Sequence, residues 1–221
     1  MKKIGIIGAS GLTGGYLLET LTESNETIEI ISLTRKKMSI NLSKTIEILT
    51  NFSEKEIENM TLEFDVLFCC IGTTIKKAGS KKEFKRVDFG IPLSIAKRAK
   101  MFNTKKFILI SSTRANSSSS NFYLKTKGEI EDEILKLNFP YTHFIRPSPL
   151  LGKRAEKRAG EKMGQMISRL LSFLFVGPLK KYKAIEAKRV AKAMFIIAKK
   201  DSAKIIYEND ELFDITNRIT L

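Results

Sequence analysis

Gly8, Gly11 and Gly14 stand three residues apart, directly after the apolar run KIGII and at the head of YLLETL, whose apolar residues have helical spacing. A second β-branched run, TIEIISL, follows them. Strand, glycine turn, helix and strand in about 30 residues make a βαβ unit. Glycines let the backbone turn sharply there and come close to a pyrophosphate, whose charge sits on the unpaired amides of a helix N-terminus. The spacing G-x-x-G-x-x-G differs by one residue from the G-x-G-x-x-G of many dehydrogenases. Its strand–turn–helix setting makes it a dinucleotide signal.

Further strands are expected at 44–49, 65–71, 105–111, 141–146 and 204–207, and helices at 54–60, 83–100, 124–137, 167–175 and 184–200. The strand segments are almost continuously apolar, which predicts burial on both faces. Strands alternating with helices predict a Rossmann-like α/β fold, doubly wound on a mainly parallel sheet of about seven strands, with a small C-terminal lobe. The 221-residue length suits one domain spanning 1–221, within which 150–183 forms a lobe covering substrate or cofactor.

The end of the second strand selects the cofactor. An NAD enzyme usually has Asp or Glu there for the ribose 2′-hydroxyl. This chain has Thr34-Arg35-Lys36-Lys37, and Glu29 lies within the strand. The donor fork of Arg35 and the ammonium of Lys36 suit a 2′-phosphate, so NADP(H) is expected.

Tyr123 and Lys127 are four apart in a predicted helix and share one face. A phenol has an unperturbed pKa near 10, and an adjacent ammonium favours its ionised form. The strand before that helix ends in Ser111-Ser112-Thr113, at the carboxyl edge where such sheets bind ligands. Ser112, with Ser111 in reserve, would orient a substrate oxygen beside Tyr123. The expected reaction is hydride transfer to or from a small carbonyl or alcohol.

Composition narrows the alternatives. Lys and Arg number 39 against 24 Asp and Glu, a net charge of +15. Of the cations 29 are Lys and 10 are Arg, and no helix-turn-helix, zinc or aromatic-platform signature accompanies them, so no specific nucleic acid is expected. No run reaches the roughly 20 apolar residues of a membrane span, although 166–183, apolar then basic, would suit weak contact with an anionic membrane surface. Cys69 and Cys70 are adjacent, which fits neither a disulfide nor a metal site, and His143 is the single histidine. Reduced buried thiols and a short apolar N-terminal run lead to the expectation of a cytoplasmic protein without a metal, monomeric or homodimeric.

The segments IGASGLTGG, FCCIGTT with KAG, FKRVD, ISSTRANSSSSNFYLKTKGEIE, and FIRPSPLLG with RAGE occur in that order between about residues 3 and 164. Together they resemble the atypical short-chain dehydrogenase/reductase superfamily, and more narrowly its Tat-interacting-protein-type oxidoreductases and their bacterial relatives. The resemblance implies cofactor binding by Ser10, Gly11, Leu12 and Thr13, by Arg35 and Lys36, and by Ile71 and Gly72 near the adenosine. It also implies Tyr123 and Lys127 at the nicotinamide ribose, with Leu150 and Arg158 closing over the cofactor. Two departures stand out: Cys70-Ile71-Gly72-Thr73 replaces an Asn-rich motif, and Asp88 stands where extended members often have a structural Asn. A second class of function, a non-catalytic NADP(H) sensor acting through protein partners, is set against the presence of Ser112, Tyr123 and Lys127. Residues 151–166, rich in cations and glycine, are expected to fold over the bound cofactor.

Overall fold

The computed structural model describes residues 1–24, 26, 28–38, 44–152 and 181–218. Its centre is a sheet of seven parallel strands: β1 (Lys3–Ile7), β2 (Glu29–Thr34), β3 (Thr45–Leu49), β4 (Val66–Cys69), β5 (Lys106–Ile110), β6 (Tyr141–Arg146) and β9 (Ile206–Glu208), in the order β3-β2-β1-β4-β5-β6-β9. Two short strands, β7 (Leu150–Leu151) and β8 (Ile185–Glu186), pair separately. Sheet growth reverses between β1 and β4, where Ile4 pairs with Ile30 on one side and Val66 on the other. That reversal opens a crevice at the carboxyl ends of the strands.

Alternate residues of the central strands feed two cores. On one face Ile4, Ile6, Phe68 and Ile108 pack with Leu17 and Leu21 of α1 (Leu12–Thr22), Val190 and Met194 of α7 (Ala187–Ala198), and Leu212 of α8 (Asn209–Asn217). On the other, Ile7, Leu67, Phe107 and Phe144 meet Ile57 of α2 (Glu54–Glu58), Ile95 of α5 (Ile91–Met101), and Ile130 and Ile134 of α6 (Phe122–Leu135). Two-sided burial of this kind is why the strands read as continuous apolar runs.

Three features depart from the sequence expectations. β3 is an edge strand, and its Ile46, Ile48 and Leu49 are exposed, so two-sided burial fails there. The helix expected at 83–100 is broken into α4 (Lys81–Lys85), a π turn (Arg86–Gly90) and α5, preceded by the short α3 (Ile75–Ala78). The last helix, α8, was not anticipated; Glu208 and Glu211 cap its start reciprocally. Lys106, buried at the start of β5, donates to the carbonyls of Ala198 (2.8 Å) and Lys200 (2.7 Å) and so closes the C-terminus of α7. The helix expected at 167–175 and most of the 150–183 lobe lie outside the described residues.

Candidate functional site

The glycine turn is a cradle that side chains would fill. Gly8 has φ +85°, and a Cβ on it would stand 2.8 Å from the carbonyl carbon of Cys70 at the end of β4. A Cβ on Gly14 would stand 2.2 Å from the Gly8 oxygen. The Gly11 amide donates to that same oxygen at 2.9 Å, which tightens the turn. Gly11 is the N-cap of α1 and brings no capping side chain, so no side chain of the cap claims the first amides of the helix. Ser10 and Gly11 are exposed, Leu12 half-buried, and Thr13 and Gly14 buried. A Cβ on Gly152 would stand 3.0 Å from Leu12, which sets the end of β7, with the half-buried Leu150, beside the turn. These residues fit a dinucleotide pyrophosphate: close backbone, open amides and no acidic side chain in the first turn of α1.

At the tip of β2, Arg35, Lys36 and Lys37 are exposed. One carboxylate does reach this region, from the next strand over. Glu47 of β3 accepts from the Thr34 hydroxyl (3.0 Å) and from the Met38 amide (2.8 Å) through the same oxygen. Sequence order hid it, because Glu47 is thirteen residues from Thr34 and arrives through strand pairing.

The densest chemistry lies between α6 and the loop after β4. Asn121 caps α6, accepting from the Leu124 amide, and this sets Tyr123 in the first turn with Lys127 one turn below. The Tyr123 ring leans on buried Phe84 of α4, 5.7 Å between centroids. The Lys127 ammonium lies 2.8 Å from Asp88, with side-chain exposures of 6% and 1%. The other Asp88 oxygen accepts from the Thr73 amide at 2.8 Å, so Asp88 ties the β4 loop to α6. Burial, the largest influence on Lys127, opposes its charge, but Asp88 and Tyr123 outweigh it and hold the ammonium above the ordinary lysine range. Asp88 occupies the π turn, a distortion that often marks functional positions. Lys127 thus has a carboxylate partner, Asp88, that the sequence reading did not pair with it. The sequence flagged Asp88 as a departure, but no spacing rule connects residues 88 and 127.

Gly72 adjoins this pair. A Cβ there would stand 3.3 Å from Asp88 and 3.8 Å from the Lys127 nitrogen. Ile71 is half-buried beside it. At the tip of β5, Ser111 is 4% exposed and its hydroxyl has no partner, whereas Ser112 is half-buried with its hydroxyl 3.4 Å from the Thr113 carbonyl. The loop that follows lies directly on α6: a Cβ on Gly128 would fall 2.1 Å from the Ser117 nitrogen. This contact seats the loop that follows the serine tip on the helix that carries Tyr123 and Lys127. Arg158 lies outside the described residues, as does residues 153–166 of the expected covering segment.

Cys69 and His143 belong to the packed interior. Cys69 is fully buried, and its thiol is pushed up to about 12 chiefly by that burial. His143 is buried in β6, its Nδ1 2.7 Å from the Lys204 carbonyl, and burial lowers its pKa. Among the described residues no group of three or more His, Cys, Asp or Glu is placed to hold a metal ion. No described helix is long and apolar enough to cross a membrane.

A seven-stranded parallel sheet with a glycine turn at its switch point and a Tyr-Lys pair at the neighbouring edge defines a Rossmann-type dinucleotide-binding protein of the atypical short-chain dehydrogenase/reductase kind. The comparisons agree. The chain belongs to the HIM1 family, whose model matches residues 21–176. Among its relatives is Protein FMP52, mitochondrial, of Candida albicans, 35% identical over 97% of this chain and 98% of that protein. Another is Protein HTATIP2 of Rattus norvegicus, 36% identical over 72% of this chain and 67% of that protein. Among solved structures, the Bordetella bronchiseptica enzyme WbmH in complex with NAD+ superposes with a TM-score of 0.72, covering 94% of this chain and 74% of that one at 13% identity, and so shares the fold. The names of the fungal relatives overturn the expectation of a cytoplasmic protein. Buried thiols and a missing membrane span do not separate the cytosol from the mitochondrion, which is why the sequence misled on this point.

Proposed function

We propose that this protein is an NADP(H)-dependent oxidoreductase acting on a small carbonyl or alcohol substrate. The observation that carries the reading is the convergence of Tyr123, Lys127, Asp88 and the Ser111–Ser112 tip at the carboxyl edge of the sheet, next to the glycine cradle. When bound, the cofactor supplies a hydride donor or acceptor at the nicotinamide ring. Gly8, Gly11 and Gly14 with Ser10, Leu12 and Thr13 hold its pyrophosphate, Ile71 and Gly72 flank its adenosine side, and Leu150 covers it. Arg35 and Lys36 receive the 2′-phosphate as the main recognition elements, while Oε1 of nearby Glu47 is committed to Thr34 and Met38.

Tyr123 donates a proton to the nascent alkoxide, or takes one from the alcohol in reverse. Lys127 binds the nicotinamide ribose and supplies positive charge beneath the phenol. Ser112, or Ser111 with its unpartnered hydroxyl, donates to the substrate oxygen and holds it against Tyr123. One observation favours a second reading, a cofactor sensor without turnover: the Lys127 ammonium is already engaged by Asp88. A screen of aldehydes, ketones and quinones that follows NADPH oxidation, with Tyr123→Phe as the control, separates the two. Turnover that falls at least a hundredfold in the variant supports the oxidoreductase. Full turnover in Tyr123→Phe removes the acid–base role, and absence of turnover on every carbonyl supports the sensor.

A further inference from the structure

Beyond the serine tip, between the loop after β5 and the end of β9, lies a half-open pocket of about 190 Å³ lined, among the described residues, by Thr113, Arg114, Lys181 and Glu208. It lies on the opposite side of β5 from the glycine cradle. With strands about 4.8 Å apart, it sits roughly 10–20 Å across the sheet from the phosphate turn, too far to be part of it. It is close to the reacting end, because Arg114 is two residues after Ser112 and their Cα atoms are within about 7 Å. A substrate whose oxygen meets Ser112 would extend into this cavity.

The cavity has a charge preference. Glu208 is the only acidic residue among the described lining residues, and its carboxylate is already engaged: Arg146 donates to it at 3.1 Å, and it caps α8. Arg146 in turn is held by buried Glu131 of α6. The Thr113 hydroxyl donates to the Arg146 carbonyl at 3.0 Å. What remains is the guanidinium of Arg114 and the ammonium of Lys181, neither with a carboxylate partner among the described residues. Arg114 also has φ +67°, a left-handed conformation that L-residues adopt uncommonly and that is found more often at functional positions.

Resting on the oxidoreductase reading, we infer that this cavity binds an anionic group on the substrate, a carboxylate or a phosphate, through Arg114 and Lys181. The substrate is then a small carbonyl or alcohol compound that carries an acid at its far end. Arg114 sets specificity through its planar donor pair, and Lys181 adds a second positive charge to the lining.

Binding and turnover are read separately. Nitrogen-15 NMR of the NADP+-loaded protein is titrated with benzoate, phenyl phosphate and neutral benzamide. Either anion should perturb the amides of Thr113, Arg114 and Ala115, and should bind at least tenfold more tightly than benzamide. The stronger of the two identifies the acid as carboxylate or phosphate. Arg114→Gln and Lys181→Gln, both at exposed side chains, should each weaken the anions severalfold and leave benzamide unchanged. Equal binding of anions and benzamide, perturbation confined to residues 8–14, or unaltered anion binding in both variants would overturn the inference. The turnover arm compares 4-carboxybenzaldehyde with benzaldehyde. A lower KM for the acid that is lost in Arg114→Gln supports the cavity, and equal KM values count against it. Anion binding at Thr113–Ala115 together with absence of turnover on every carbonyl in the screen leaves the cavity standing and removes the oxidoreductase reading instead.

Discussion

Replacing Asp88 with asparagine leaves the Lys127 ammonium buried without its counter-ion. The two groups are 2.8 Å apart with 1% and 6% of their side chains exposed, so water cannot take over the role of Asp88. Removing one member of such a pair costs about 3–5 kcal/mol, most of it the penalty for the stranded charge. Asparagine keeps an oxygen for the Thr73 amide, which places the expected loss near the lower end, about 3 kcal/mol. With a urea slope of about 2 kcal/mol/M, the unfolding midpoint should fall by roughly 1.5 M. Lys127→Met should also destabilise, whereas the double variant removes both charges and should recover at least about 1 kcal/mol of the summed loss. The pH dependence has a definite sign. The folded-state Lys127 pKa lies above the unfolded 10.5, so its stabilisation is complete below 10.5 and is lost as pH rises through the folded value. A midpoint unchanged in Asp88→Asn, or strict additivity in the double variant, would refute the reasoning.

Gly14→Ala should disrupt the turn, because its methyl group would stand 2.2 Å from the Gly8 oxygen; calorimetry should show NADPH affinity reduced at least tenfold. Lys106→Met uncovers the carbonyls of Ala198 and Lys200 and should cost about 1–3 kcal/mol, seen as a Tm several degrees lower. Asp65 is held at about 2 by Lys105 and by the amides of Lys2 and Lys3. Its contribution is therefore present above about pH 4 and disappears as pH falls toward 2. Because Lys105 is exposed and Asp65 only partly buried, solvent screening holds the effect to about 1 kcal/mol or less, and Asp65→Asn should flatten that part of the acid unfolding curve.

Local signals reached the structure best. Gly8, Gly11 and Gly14 could be read because a turn with no room for side chains is a property of a few adjacent residues. Tyr123 and Lys127 could be read because a helix places residues four apart on one face. The strands at 65–71 and 105–111 were legible from burial on both faces, but the same logic misjudged β3, whose neighbour on one side is solvent. Long-range pairings were not legible. Asp88 meets Lys127 only because a π turn and α6 pack together, and Glu47 reaches Thr34 only through the register of β2 and β3. The buried but unpartnered Ser111 hydroxyl and the Arg146–Glu131–Glu208 cluster also arise from packing between elements. Cellular location left no physical trace in the residues that were used to infer it.

Calorimetric titration of NADPH and NADH into wild type and Arg35→Ala tests the central claim, a dinucleotide site at the glycine turn that is selective through the tip of β2. The account predicts that NADPH binds more tightly than NADH. In Arg35→Ala the NADPH affinity should fall by about tenfold or more, as loss of a charge-assisted phosphate contact worth about 1.5–3 kcal/mol requires, with NADH unaffected. Binding of neither dinucleotide to the wild type, or tighter binding of NADH, would contradict it.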